Sequence, residues 1–288
     1  MEITSALIKK LRDKTGAGMM DCKRALEASK GDMDAAIEYL RKKGAAVAQK
    51  RADRSAKEGM IVTRVSADGK LGVIVEVNCE TDFVGKSEDF TSFAGLVAEV
   101  VAKHRPATMD ALHGHSTSAG KRIIEHLNDL LAKVGEKIDV RRFEIVDAGD
   151  GMVSSYTHLG NKIGVLVEFA GLSHDDSVKG TGRDIAMQVA AMNPTVIGRD
   201  QIDKATIERE LEIYRTQAKN EGKKEQVIDR IVMGKLEKFY QEVCLLEQTF
   251  IKDQGKTIKD VLQEAGKSTG TTPTVRRFLR FHLGEEQQ

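Results

Sequence analysis

The stretch Gly59–Val77 reads GMIVTRVSADGKLGVIVEV, and Gly151–Phe169 reads GMVSSYTHLGNKIGVLVEF. The two align without a gap at an offset of 92 residues. Each holds two apolar runs of period two, the signature of strands with one buried face. Between the runs lie turn residues, Asp68-Gly69 in the first copy and Gly160-Asn161 in the second, as a hairpin requires. A helical pattern ending near a proline follows each copy: VAEVVAKHRP at Val97–Pro106 and IAMQVAAMNP at Ile185–Pro194. The core therefore reads as a duplicated ββα unit. Hairpins followed by helices imply antiparallel sheets with helices packed on one face, an α+β class.

Working outward, residues 120–135 add a helix and KIDVRRFEIVDA (Lys137–Ala148) adds a strand between the copies. Residues 1–44 read as three short helices: TGAG at Thr15–Gly18 stops the first, Asp32 caps the third, and Gly44 ends it. The basic, Ala-rich RKKGAAVAQKRADRSAK (Arg41–Lys57) reads as a partly helical linker. Residues 1–57 hold 14 Lys and Arg against 8 Asp and Glu, a net of +6, which leaves −5 on the remainder. Residues 200–242 are charged, with narrow apolar seams interrupted by KNEGKKEQ (Lys219–Gln226). They read as an antiparallel coiled-coil hairpin that projects from the core and suits protein–protein contact. The tail gives a helix in KTIKDVLQEAG and an alternating strand in TVRRFLRFHLGEEQQ that closes a sheet. The expected divisions are 1–54 (N-terminal helices and linker), 55–148 (first core unit), 149–195 with 243–265 (second core unit), 196–242 (hairpin) and 266–288 (a C-terminal module).

Composition narrows the function. The net charge is +1 and Trp is absent, so neither a global nucleic-acid field nor a stacking platform is expected. The three cysteines, Cys22, Cys79 and Cys244, are far apart and read as free thiols of a reducing compartment. With no apolar leader and no run long enough to span a bilayer, the expected location is cytoplasmic. Gly255-Lys256-Thr257 and Gly266-Lys267-Ser268 resemble the ends of phosphate loops, but the earlier glycine is Phe250 or Val261, and neither is expected to follow a strand into a helix. Gly180-Thr181-Gly182 is at best a helix entry. His113-Gly114-His115 lacks a third ligand at metal spacing. No nucleophile–base pair stands out, so no enzyme chemistry, cofactor, metal, nucleotide or membrane binding is expected of the chain itself.

NCETDFVGK (Asn78–Lys86) poses the sharper question: one large aromatic, Phe83, follows an acid where the chain leaves an apolar strand. Either Thr81 caps a helical turn and Phe83 tucks into the core beneath it, or Phe83 is an exposed wedge for a partner's pocket. The sequence at this point resembles the elongation factor Ts family of bacteria. The resemblance rests on LRDKTGAGMMDCKRAL (Leu11–Leu26), EVNCETDFVGK (Glu76–Lys86), GEKIDVRR (Gly135–Arg142), SYTHLGNKIGVLVEF (Ser155–Phe169), DIAMQVAAMNP (Asp184–Pro194) and KFYQEVCLLEQTFIKD (Lys238–Asp253), nearly the whole chain. Gly85 departs from the Ser or Ala usual there.

The resemblance implies a guanine-nucleotide exchange factor for elongation factor Tu. It implies that Thr81, Asp82, Phe83 and Val84 displace the partner's magnesium, with Phe83 inserted between two partner histidines. It also implies partner contacts at His158, at Val134 and Gly135, and at Arg12, Met19, Met20 and Lys23 of a ubiquitin-associated-like (UBA-like) N-terminal bundle. Two other readings compete: an RNA-associated translation factor using the basic N-terminal arm, and a small-molecule enzyme in the ββα core.

Overall fold

A computed structural model of the chain describes residues 3–51, 53–172 and 176–285; the outermost residues of the expected N- and C-terminal units lie outside these. It holds α1 (Ser5–Thr15), α2 (Met19–Ala28), α3 (Met33–Arg51), β1 (Glu58–Val65), β2 (Leu71–Cys79), α4 (Asp82–Gly85), α5 (Glu88–His104), α6 (Met109–Gly114), α7 (Ile123–Val134) and β3 (Ile138–Asp147). There follow β4 (Met152–Thr157), β5 (Ile163–Ala170), α8 (Asp176–Met192), α9 (Lys204–Asn220), α10 (Glu225–Val243), β6 (Thr249–Phe250), β7 (Asp253–Thr257), α11 (Ile258–Thr269) and β8 (Thr274–His282). The class is α+β.

The repeated stretches form the hairpins β1–β2 and β4–β5, both antiparallel. Each hairpin gains a third antiparallel strand, giving sheet orders β1-β2-β3 and β4-β5-β8. Helices cover one face of each sheet. Val73, Val75 and Val77 point to α5 and α7, where Phe90, Val97 and Leu127 meet them. Val165, Val167 and Phe169 point to α8 and α11, where Ile185, Val189 and Leu262 meet them.

The opposite faces meet each other through Ile61, Ile74, Val153, Leu166 and Phe281. Two glycines, equivalent in the repeat, make this approach possible. A Cβ on Gly72 would lie 2.5 Å from Val153 Cγ1, and one on Gly164 would lie 2.5 Å from Ile61 Cγ2. Each copy thus receives, in its glycine hollow, the apolar side chain of the other. Glu76 is wholly buried in this layer and is matched by Arg142 at 2.7 Å, whose guanidinium lies 4.0 Å over the Phe281 ring. The Gly284 N–H donates to its second oxygen at 2.9 Å, so a buried charge is paired and hydrogen-bonded.

Several expectations are corrected. α3 does not end at Gly44 but runs on to Arg51, so much of the supposed linker is helix. A Cβ at Gly44 would lie 2.5 Å from the Asn128 carbonyl and 3.2 Å from Ala132 Cβ of α7; the glycine is there for close helix packing, which offsets its poor propensity. β8 is the third strand of the second sheet, so the tail completes that sheet and is not a module apart. Gly180 and Gly182 lie inside α8 rather than at its entry, with Gly182 against Ser154 of β4. Contrary to expectation, Gly255-Lys256-Thr257 does pass from a strand, β7, into a helix, α11. Its N-terminus is filled by the Thr257–Asp260 capping box, and Lys256 is held by Glu264 at 2.7 Å.

α9 and α10 form the antiparallel pair, turning at Gly222 with φ +69. Apolar side chains on both helices, such as Leu211, Tyr214, Ile228 and Val232, fill the seam. Arg199 pins its base: the guanidinium donates to Glu237 at 2.7 Å and Glu247 at 2.5 Å and lies 4.1 Å over the Tyr240 ring.

Candidate functional site

β2, the central strand of its sheet, ends at Cys79, and the chain turns out of the sheet after it. Thr81 caps the short helix α4, its hydroxyl accepting from the Val84 N–H at 3.4 Å. Beneath the turn the buried Cys79 thiol donates to the Thr81 carbonyl at 3.1 Å. Burial, followed by the negative charge of Glu136 and Glu58, pushes this thiol up to about 12, so it is an inert packing group. A Cβ at Gly85 would lie 3.3 Å from Cys79 Sγ and 3.4 Å from the Gly59 backbone. The turn is therefore seated closely on β1 and β2.

Phe83 stands on the outer side of this turn, 84 % exposed. Of the two readings weighed for it, burial in the core is excluded. Asp82 is half-buried beside it and accepts from Lys86 at 2.7 Å; that hydrogen bond holds its carboxyl below the usual range. Val84 packs against the first core, so the turn anchors itself with one apolar residue and offers the other to solvent.

The remaining candidate residues fall into two groups. Glu136, one residue beyond Gly135, accepts from the Thr81 hydroxyl at 2.9 Å, which places the end of α7 beside α4. Val134 is half-buried against the first core, and Gly135 is the left-handed cap of α7, with φ +70 and open space where a Cβ would stand. His158 is exposed, its Nδ1 3.1 Å from the Tyr156 hydroxyl. Its turn is held to β1 by Lys162, which donates to Glu58 at 3.1 Å. Lys162 also adds to the positive field on Asp82. α4, the α7 cap and the β4–β5 turn thus lie at one end of the first sheet, where β2 ends and β1 and β3 begin.

Arg12, Met19, Met20 and Lys23 are exposed on α1 and α2, Met19 by 44 % and Met20 by 65 %. Buried Leu11, Cys22, Ala25 and Leu26 hold that bundle together behind them. The bundle meets α7, with α3 packed along it and the Lys133 chain running over Gly16.

Residue-by-residue reading missed the charges that fix the site. The Glu80 carboxylate accepts from the Lys137 N–H at 2.6 Å, from Arg51 at 2.9 Å and from Arg54 at 3.0 Å. The Lys137 N–H first, with the two guanidinium groups, draws it down to about 2. The only local signal was position: Glu80 and Glu136 each flank a candidate residue. His113, weighed as a ligand, is in α6 with its Nε2 buried and unpaired, and His115 stacks on His104 at 4.7 Å. Among the described residues no three His, Cys, Asp or Glu side chains are grouped to hold a metal, and no helix is long and apolar enough to cross a membrane.

The family model described as "Elongation factor TS" matches residues 80–285. Elongation factor Ts of Clostridium perfringens is 46 % identical over 283 residues, covering 98 % of this chain and 93 % of its own. Elongation factor Ts of Chloroherpeton thalassium is 45 % identical over 288 residues, covering 99 % of both chains. That of Chlorobium luteolum is 47 % identical over 287 residues, again covering 99 % of both. With the family model spanning well over half of the sequence and such relatives aligned end to end, the chain belongs to the elongation factor Ts family.

Proposed function

We propose that this chain is the guanine-nucleotide exchange factor for elongation factor Tu in translation elongation, and that it acts by inserting the Thr81–Val84 turn into the partner's nucleotide domain. The observation that carries the reading is the exposure of Phe83, 84 % free on a turn that is itself capped and anchored. A large apolar ring held out to water adds little to the free protein, and its burial by a second molecule would supply binding energy.

Nucleotide and exchange factor bind the same GTPase with negative coupling, and the coupling is reciprocal. A factor that binds the nucleotide-free state better lowers nucleotide affinity by the same ratio, each tenfold needing about 1.4 kcal/mol of differential contact. Phe83 supplies that difference by entering between two partner histidines only in the open state. Asp82 meets polar groups beside the opening. Displacing the partner's magnesium removes the largest positive charge from the nucleotide phosphates. No bond is made or broken by the exchange factor, and no cofactor of its own is used.

Val134, Gly135 and His158 extend the contact at the same end of the first sheet. Arg12, Met19, Met20 and Lys23 dock the UBA-like bundle of residues 1–54 on the partner without needing to discriminate between its states. The core units are 55–148 and 149–195 with 243–265, joined by the tail strand, and residues 196–242 form a coiled-coil arm that makes a further partner contact. The test is release of a fluorescent GDP from elongation factor Tu. The intact protein accelerates it and Phe83→Ala does so far less; no acceleration by the intact protein overturns the reading.

A further inference from the structure

The Phe83 ring has almost no packing of its own, so nothing in its side chain determines where it points. Its placement must come from the backbone of the turn, and two carboxylates control that backbone. Glu80 stands directly before Thr81 and reaches across to the N–H of Lys137 at 2.6 Å. Glu136 stands directly before Lys137 and reaches back to the N–H of Thr81 at 3.1 Å. Each acid therefore holds the backbone N–H that follows the other acid. The exchange is closed at both ends, and neither segment can slide without losing both bonds.

Glu136 does a second thing. The Thr81 hydroxyl gives its proton to Glu136 at 2.9 Å, which leaves a lone pair for the Val84 N–H at 3.4 Å. A hydroxyl has one proton and two lone pairs, so fixing the proton fixes the direction from which it can cap α4. On its outer side Glu80 holds Arg51 and Arg54, and Lys137 Nζ donates to the Arg54 carbonyl at 3.0 Å. The end of α3, the end of α7 and the wedge turn are joined at one point.

We propose that Glu136, with Glu80 as its counterpart, is a positioning residue for Phe83: the crossed carboxylate–amide exchange holds the turn in its inserting conformation before the partner arrives. This rests on the reading of Phe83 as the inserted residue. Hydrogen bonds to charged groups are among the stronger ones, and pre-ordering a binding element removes an entropic cost from the bound state. The latch reaches the N-terminal bundle through Arg51 at the end of α3, and it uses none of Arg12, Met19, Met20 and Lys23, so docking by those residues is left in place.

The experiment compares Glu136→Ala, Glu136→Gln, Phe83→Ala and the Phe83→Ala/Glu136→Ala pair. Fluorescent GDP release from elongation factor Tu is followed over a range of factor concentrations, and amide hydrogen exchange is followed in the free factor. Glu136→Ala lowers the maximal release rate about tenfold, with little change in the half-saturating concentration, and speeds exchange at Val84 and Gly85. Glu136→Gln, which keeps an oxygen to accept from the Thr81 N–H, restores most of the rate. It also keeps the test alive if the alanine variant folds poorly. The pair is no slower than Phe83→Ala alone, as residues acting through one another are not additive. Full activity in Glu136→Ala beside a slow Phe83→Ala overturns this proposal alone, as does additivity in the pair. A Phe83→Ala as fast as the intact protein overturns the wedge reading, and this inference with it.

Discussion

Replacing Phe83 by alanine separates a residue that serves another molecule from one that serves its own fold. Complete burial of a Phe side chain is worth up to about 3 kcal/mol. With 84 % of Phe83 exposed, the free protein gains only about 0.5 kcal/mol from it, and alanine's better helix propensity in α4 returns much of that. A chain of this length unfolds with an entropy near 0.6 kcal/mol per degree, taking about 2.1 cal/mol/K per residue, so the melting temperature moves by about one degree or less. The exposed part is what a partner can bury, and it corresponds to about 2 kcal/mol or somewhat more. At about 1.4 kcal/mol per decade that is roughly 30-fold in preference for the nucleotide-free partner. The assay is fluorescent GDP release at subsaturating factor, with differential scanning calorimetry on the same preparations. Release slowed less than threefold, or a melting temperature lowered by more than about five degrees, would refute the reasoning.

Gly44→Ala places a Cβ 2.5 Å from the Asn128 carbonyl, so chemical denaturation should show a loss of about 1–3 kcal/mol despite the propensity gain; Gly95→Ala in α5, with nothing within 4 Å, should instead gain up to about 1 kcal/mol. Glu80 titrates low, near 2, so its stabilisation is fully present above its unfolded value of about 4.3 and is lost as pH falls through the folded value. The stability difference between the intact protein and Glu80→Gln should be flat from pH 8 to 5 and shrink between about pH 4.5 and 2, read from urea midpoints. Arg199→Ala removes the paired contacts to Glu237 and Glu247 and the stacking on Tyr240. Being 42 % exposed on its side chain, it should cost only about 1–2 kcal/mol, with faster amide exchange at the base of the helical pair around residues 199–203 and 244–247.

Local pattern made the hairpins legible. The period-two runs, the turn residues at 68–69 and 160–161 and the helices before Pro106 and Pro194 all act over a few residues, and strands β1, β2, β4 and β5 with helices α5 and α8 stand where these signals put them. The mixed apolar and basic run from Val275 through Phe278 to Phe281 also placed a strand, but not its partner, since register is a long-range property. Gly44 was misread because a helix stop and a close-packing glycine look alike until the neighbour is known; only Asn128 of α7 distinguishes them. At the site, Phe83 could be singled out but not oriented, because period alone does not tell which side of a capped turn faces water. Glu80 and Glu136 were invisible as a pair because 56 residues separate them and no motif joins them.

The reciprocal hollows at Gly72 and Gly164 have a consequence for how such a molecule could arise. Each accepts the side chain that the other copy offers, Val153 into one and Ile61 into the other, so the contact is self-complementary about a two-fold-like axis. That is the geometry by which two identical subunits associate through one shared patch. The sheet-to-sheet layer is in this sense a homodimer interface written into a single polypeptide: an ancestral chain with one ββα unit could have met a second copy of itself through this face. Fusion then freed each copy to change separately, so that Glu80 and Phe83 follow one hairpin while the other gave its turn to His158.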